Sequence, residues 1–127
     1  IVTGKTSQLL GASSAMLINA LKVLAGINND IHLLSPVIIE PIRKLKIGIL
    51  GNNNPRLHTD EILIALSICA ATNPTAQLAL EQLHKLRGCE AHSSVILSGV
   101  DQNVFRKLGV NLTCEPRYQT KKLYHKK

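Results

Sequence analysis

Tryptophan is absent, and Phe105, Tyr118 and Tyr124 are the only aromatic residues. So few rings exclude a row of platforms for stacked nucleobases and require an aliphatic core of Leu, Ile, Val and Ala. No apolar run approaches the ~20 residues of a membrane-spanning helix, and the first residues do not read as a secretory leader. Cysteine is scarce: Cys69, Cys89 and Cys114 form an odd set without the spacing of a disulfide framework, which favours a reducing, cytosolic compartment. No carboxylate occurs before Asp30.

The familiar motifs of chemistry are missing as well. There is no HExxH, no paired CxxC and no G-x-S-x-G elbow. Cys89 and His92 are three apart on an expected strand and so point to opposite faces, and the His58-x-Asp60 triplet has no second cluster to complete a metal site. Neither a metal nor a cofactor is implied. The Gly4-Lys5-Thr6 triplet has the ending of a phosphate loop, but the glycine five residues earlier is lacking and the helix does not follow directly.

What is present is a packed composition, 45% hydrophobic and 18% charged, in 127 residues, enough for one domain. The net charge of +7 is unevenly placed. Residues 117–127 hold five of the fifteen basic residues and none of the eight acids, which leaves +2 for the rest of the chain. The division expected is an α/β domain over residues 1–116 and a basic tail over 117–127. The tail reads as a solvated end; contact with nucleic acid through it is the third-ranked reading. The chain opens inside an apparent strand without a Met, so a piece of a longer protein is expected.

Helices alternate with strands along the chain. Ile1 to Thr3 suggests the end of a strand whose earlier part is missing; a helix is expected from Ser13 or Ser14 to Ala25, closed by Gly26 and apolar nearly all round. Ile31–Leu34 reads as a short strand, followed by a helix with Ser35 as cap and Pro36 in the first position. Pro41 should kink or restart that helix between Ile39 and Ile42, with Arg43, Lys44 and Lys46 facing water. Thr59 is the expected cap of a helix reaching Ala71, buried on nearly every face, with Cys69 in the core. Asn73 and Pro74 open a covering helix that Gly88 ends and whose outer face takes Gln77, Glu81 and Gln82. A strand over 89–97, a helix over 100–108 closed by Gly109, and a strand over 110–114 complete the order. The fold class is therefore α/β, a small layered sheet of four to five strands covered by helices. The strand, buried helix and Ser35-Pro36 helix start resemble the plan of cytidine deaminases. Val37 and Glu40 stand where their zinc-binding cysteines would be, implying a zinc-free version of that topology.

Two stretches gather polar residues at helix starts. The first is Gly4 to Ser14: with no local carboxylate, backbone N–H groups and Lys5 suit an anion, with Thr6 and Ser7 beside it. The second is LGNNNPRLHTDEILIAL, residues 50–66, where turn formers abut an apolar helix. Asp60 and Glu61 already neutralise that helix end, so its loop suits a neutral or carboxylate-like group held by Asn53, Asn54 and Arg56, with His58 as candidate acid or base.

Three segments, VTGKTSQLLGASSAMLINALKVLAGI, HLLSP with its helix, and ALSICAATNPTAQLA with RGCEAHS and RKLGVNLTCEP, together resemble the C-terminal domain of a long bacterial family of unknown function. Some of its members carry an unsupported ATP-dependent peptidase label. The resemblance implies a cytosolic protein with a larger N-terminal part bearing a Gly-rich, phosphate-loop-like segment, and it implies no catalytic residues. Two functions follow as expectations. The first is a module that packs on the N-terminal domain or on a second copy in a homo-oligomer. The second is part of an enzyme site for a small anionic or nucleotide-like ligand, held by Lys5, Thr6, Ser7, Asn53, Asn54 and Arg56.

Overall fold

The computed structural model describes residues 2–5, 7, 10–52 and 54–116. The basic tail, Thr6 and Asn53 lie outside the described residues. The chain divides into two compact units, Ile1–Lys85 and Leu86–Lys127.

The first unit is helical. Helix α1, Ala12–Ala25, ends in Gly26 at φ 70°, a left-handed geometry that a residue without Cβ adopts at least cost. Its buried stripe is Ser14, Leu17, Ile18, Leu21 and Lys22, the i, i+3, i+4, i+7 spacing of one helix face; Val23 and Leu24 remain exposed. Helix α2, Pro36–Lys44, starts as expected: the Ser35 hydroxyl accepts from the Val37 N–H at 3.2 Å.

Of the kink or restart expected at Pro41, the restart does not occur. The helix runs through Pro41, which is exposed, and its hydrogen bonding changes one turn later. Leu45–Ile49 forms a π-helical turn in which the Leu50 N–H donates to the Leu45 carbonyl at 2.9 Å.

Helix α3, Thr59–Ala70, is capped by His58, whose backbone is still extended; Thr59 is already helical and fully buried. The Glu61 carboxylate reaches back to the His58 N–H at 2.8 Å. The expectation of burial on nearly every face fails. Ile62, Ala65, Leu66 and Cys69 are buried, but Ile64, Ser67 and Ile68 face solvent. Helix α4, Pro74–Leu80, is capped by the Asn73 side chain, which accepts from Thr75 and Ala76 N–H groups at 2.9 and 3.4 Å. It is shorter than expected and gives way to a 3-10 turn, Leu83–Leu86; Gln82, assigned to the outer face from sequence, is buried.

The second unit is a β-α-β arrangement. Strand β1, Glu90–Ser93, pairs in parallel with β2, Asn111–Cys114, through the crossover helix α5, Gly99–Leu108. Phe105 and Val110 are buried, and Gly109 at φ 82° closes α5. Gly88, also at positive φ, donates its N–H to the Gly109 carbonyl at 2.8 Å. Cys89 lies one step before the first ladder pair and Cys114 in the last, so the two thiols sit at opposite ends of the ladder.

The α/β class stands; among the described residues there are five α-helices and a two-stranded sheet in place of four to five strands. Ile31–Leu34, on which the deaminase-like plan depended, is a turn and loop. Its Asn28-Asn29-Asp30 lead-in folds back on itself: the Asn28 side chain accepts from the Asp30 N–H at 2.8 Å, and the Asn28 carbonyl accepts from the Ile31 N–H at 3.1 Å. Leu33 alone drops into the core.

Candidate functional site

The two polar stretches singled out in the sequence meet in the first unit. Leu10 and Leu57 form a parallel bridge, the Gly11 N–H donates to the Leu57 carbonyl at 3.4 Å, and the buried Ser14 hydroxyl donates to the same carbonyl at 2.9 Å. The Arg56 Nε donates to the Ser7 carbonyl. Of the candidate ligand residues, Ser7, Asn54 and Arg56 are thus on one local surface.

Each has a structural task there. Asn54 accepts the Arg56 N–H at 3.0 Å, closing an Asx turn through Pro55, and Arg56 spends one donor on the backbone. His58 serves as the α3 cap. Lys5 is exposed, on an irregular segment where a strand end was expected, held to α1 by a 2.9 Å bond from the Asn19 side chain to the Thr3 carbonyl. Gly4 fixes that approach. A Cβ there would overlap the Met16 backbone N and Cα and lie 2.7 Å from the Ala12 carbonyl oxygen, so only glycine lets the chain pass over α1 so closely. The first turn of α1 contains no acid and Gly11 offers no capping side chain, as the anion reading requires.

Two lysines that the sequence reading did not select organise this region. Lys46, expected to face water, is buried. Its Nζ donates to the Glu61 carboxylate at 2.8 Å and to the Arg56 carbonyl at 2.7 Å, fastening the π turn to the polar loop and to the start of α3. A signal for this existed: Lys46 follows the buried Ile39 by seven residues, two helical turns, and so returns to the same face.

Lys22 occupies the last position of the α1 buried stripe and donates to the Asn29 carbonyl at 3.1 Å. Burial pushes its pKa below the ordinary lysine value, and the neighbouring Asp30 carboxylate partly offsets that. Lys22 lines a cleft of about 240 Å³ with Ser7, Asn19, His32 and Leu33, so the cleft adjoins the Arg56 contact at Ser7.

The second unit contains a hydrogen-bonded chain that the search for metal spacing passed over. His92 Nδ1 lies 2.7 Å from the Thr113 hydroxyl, its partner in the ladder register, and Nε2 lies 2.8 Å from the Glu115 carboxylate. With Nε2–H donating to Glu115, Nδ1 accepts from Thr113. The chain faces solvent on the open side of the ladder. Among the described residues no three His, Cys, Asp or Glu side chains converge as metal ligands, and no helix is long and apolar enough to cross a membrane.

These features describe a mixed α/β domain with a polar loop pinned to its helices, and the relatives say what kind of protein carries it. The profile of the family described as Domain of unknown function DUF1846, C-terminal, matches residues 1–124, and the chain belongs to that family. The chain is 60% identical over all 127 residues to the UPF0371 protein of Corynebacterium urealyticum, of which it covers 26%. It is 61% identical over 127 residues to that of Corynebacterium diphtheriae, again 26% of the relative, and 53% identical over 125 residues, 98% of this chain, to that of Clostridium tetani, covering 25%. The chain therefore spans about a quarter of the length of these relatives and corresponds to a C-terminal domain of a longer protein.

Proposed function

We propose that this domain is a docking module of the longer, cytoplasmic protein and that it docks through the apolar surface carried by α2, the π turn and α3. The observation that carries this reading is the exposure of large aliphatic side chains on regular, well-anchored elements: Val37 is 78% exposed, Ile49 77%, Leu50 63% and Ile64 59%. Single exposed aliphatics are ordinary, but Val37, Leu45, Ile47, Ile49 and Leu50 fall within fourteen consecutive residues. Lys46, the one lysine of the π turn, points inward to Glu61 and so leaves that turn's outer surface to the aliphatics. About three quarters of the relatives' length lies outside this chain and supplies the occupant; a second copy of the whole protein is the alternative occupant.

The test substitutes serine for Ile49 and Ile64 in the full-length protein. Docking predicts a loss of about 1.5 to 3 kcal/mol per side chain, since each forfeits its buried area. Changes within about 0.5 kcal/mol for both would refute it, because that is how a solvated surface position behaves. Sedimentation over a hundredfold range of concentration separates an intramolecular occupant from a second copy.

A second reading is favoured by the meeting of Ser7 with Arg56 beside the Lys22 cleft. In it, Lys5, Thr6, Ser7, Asn53, Asn54 and Arg56 bind a small anion at the uncapped start of α1, with His58 at the margin. A cleft of about 240 Å³ is below the usual range for whole nucleotides and suits a small carboxylate or phosphate. Thermal shift of the full-length protein with millimolar phosphate, acetate or nucleotide tests it. A shift that Arg56→Ala abolishes supports the site, and no shift with any of them removes it.

A further inference from the structure

The parallel ladder of the second unit has an edge shaped to receive another strand. Register and hydrogen bonds fix which backbone groups point where. Asn111 and Glu115 send their N–H groups to Cys89 and Ser93 carbonyls at 2.8 and 2.9 Å, so residues 111, 113 and 115 of the β2 segment face β1. By the alternation of a strand, the N–H and C=O groups of Leu112 and Cys114 point to the opposite edge.

A groove of about 480 Å³ lies against residues 110–113, along the part of β2 that holds Leu112 and short of Cys114. Its floor is formed by four consecutive β2-side residues, Val110 to Thr113, and by no residue of β1. Consecutive residues of both side-chain parities mean that backbone, not one face of the strand, lines it. The other wall is one face of α5, Gly99, Gln102, Asn103 and Arg106, at i, i+3, i+4 and i+7. A strand edge beside a helix face is the geometry in which extended segments are bound by strand addition.

The ladder also leaves room for a neighbour. Parallel sheets occur almost only as larger assemblies, whereas the described residues supply two four-residue strands, with α5 packed against β2. We infer that an extended segment of the longer chain, from outside these 127 residues, adds to the β2 edge in the groove beside α5. About three quarters of the relatives' length is outside this domain, ample to supply it. The segment exchanges backbone hydrogen bonds with Leu112 and Cys114, and its side chains on the α5 side are polar or acidic, to meet Gln102, Asn103 and Arg106. The inference rests on the docking reading above but uses a different surface, so the two can fail separately.

The experiment is residue-resolved hydrogen exchange on the full-length protein, with photo-crosslinking from a benzophenone residue placed at Gln102. The expected result is exchange at Leu112 and Cys114 slowed at least about a hundredfold from the unprotected rate, in line with Thr113 and Glu115. Crosslinks should join Gln102 to a peptide of the same chain that precedes this domain. Unprotected rates at Leu112 and Cys114, with Thr113 and Glu115 still slow, would overturn strand addition whatever the fate of the Ile49 and Ile64 variants. A crosslink between two copies, or to a peptide within the 127 residues, or none at all, would overturn the occupant named here. If Ile49 and Ile64 prove solvated while Leu112 and Cys114 are protected, the α2–α3 docking surface falls and strand addition stands.

Discussion

Replacing Lys46 by Met tests the physical account of the polar loop most directly. Methionine keeps an unbranched stem of similar reach and deletes the ammonium, so the packing of the π turn is largely preserved while two hydrogen bonds disappear. The Lys46 side chain is 6% exposed, whereas Glu61 is 25% exposed and keeps the His58 N–H as a donor. The Arg56 carbonyl loses its 2.7 Å donor. Breaking a fully enclosed ion pair by removing one partner costs about 3 to 5 kcal/mol. Here the carboxylate retains water and one N–H, so the cost falls to that of charge-assisted hydrogen bonds, about 1.5 to 3 kcal/mol.

The loss is local, because Lys46 ties one loop to one helix start. It should therefore appear as faster opening of that region before it appears in global unfolding. Native-state hydrogen exchange on the full-length protein reads it at three amides whose bonds depend on the loop. These are Asn52, which donates to the Lys46 carbonyl, His58, which donates to Glu61, and Gly11, which donates to Leu57. The expected acceleration is about ten- to a hundredfold at all three, with little change at Leu112 or Phe105. Acceleration below about threefold would refute the claim that this pair pins the loop, since that is under 1 kcal/mol. Raising the salt concentration should leave the wild-type rates nearly unchanged, because a buried pair is poorly screened.

Three further outcomes follow. Gly4→Ala forces a Cβ into the Met16 backbone and should lift residues 2–5 from α1 at a cost of about 1 to 3 kcal/mol; exchange at neighbouring amides with no detectable change would contradict the close approach. Asn73→Ala removes both side-chain bonds at the start of α4 and should cost about 0.5 to 2 kcal/mol in the opening of that helix, with Asn73→Ser recovering most of it. For Lys22 the folded pKa lies below the unfolded one, so in the interval between them the unfolded chain binds more protons. Stability therefore rises with pH through that alkaline interval, and Lys22→Met should flatten the rise; a titration of the Lys22 side chain by NMR at the ordinary lysine value would refute it.

Much of this fold is written locally and could be read locally. Gly26 and Gly109 stop their helices, Ser35-Pro36 and Asn73-Pro74 start theirs, and the β1-α5-β2 order follows from composition within a few residues. What failed were decisions that depend on distant partners. Ile31–Leu34 has the composition of a strand, but strands exist only in pairs, and among the described residues no neighbour comes to it. The apolar run of α3 implied burial all round; whether Ile64 and Ile68 are covered depends on surfaces that the run itself does not encode.

The candidate site repeats that division in sharper form. The loop residues were chosen for being polar without an obvious purpose, and Asn54, Arg56 and His58 turn out to have purposes in backbone geometry: a turn, a bridge to Ser7 and a helix cap. Lys22 and Lys46, the buried lysines of the first unit, were passed over because a lysine in an amphipathic helix ordinarily faces water. The stronger signal was position. Lys22 continues the Ser14, Leu17, Ile18, Leu21 stripe and Lys46 continues from Ile39 by two turns, so a lysine at a core position is a charge that must find a partner. Each found a backbone carbonyl in a neighbouring loop, Asn29 for Lys22 and Arg56 for Lys46. The loops of the first unit are thus held in shape by buried cations, and any ligand at Ser7 and Arg56 would meet a surface already ordered before it arrives.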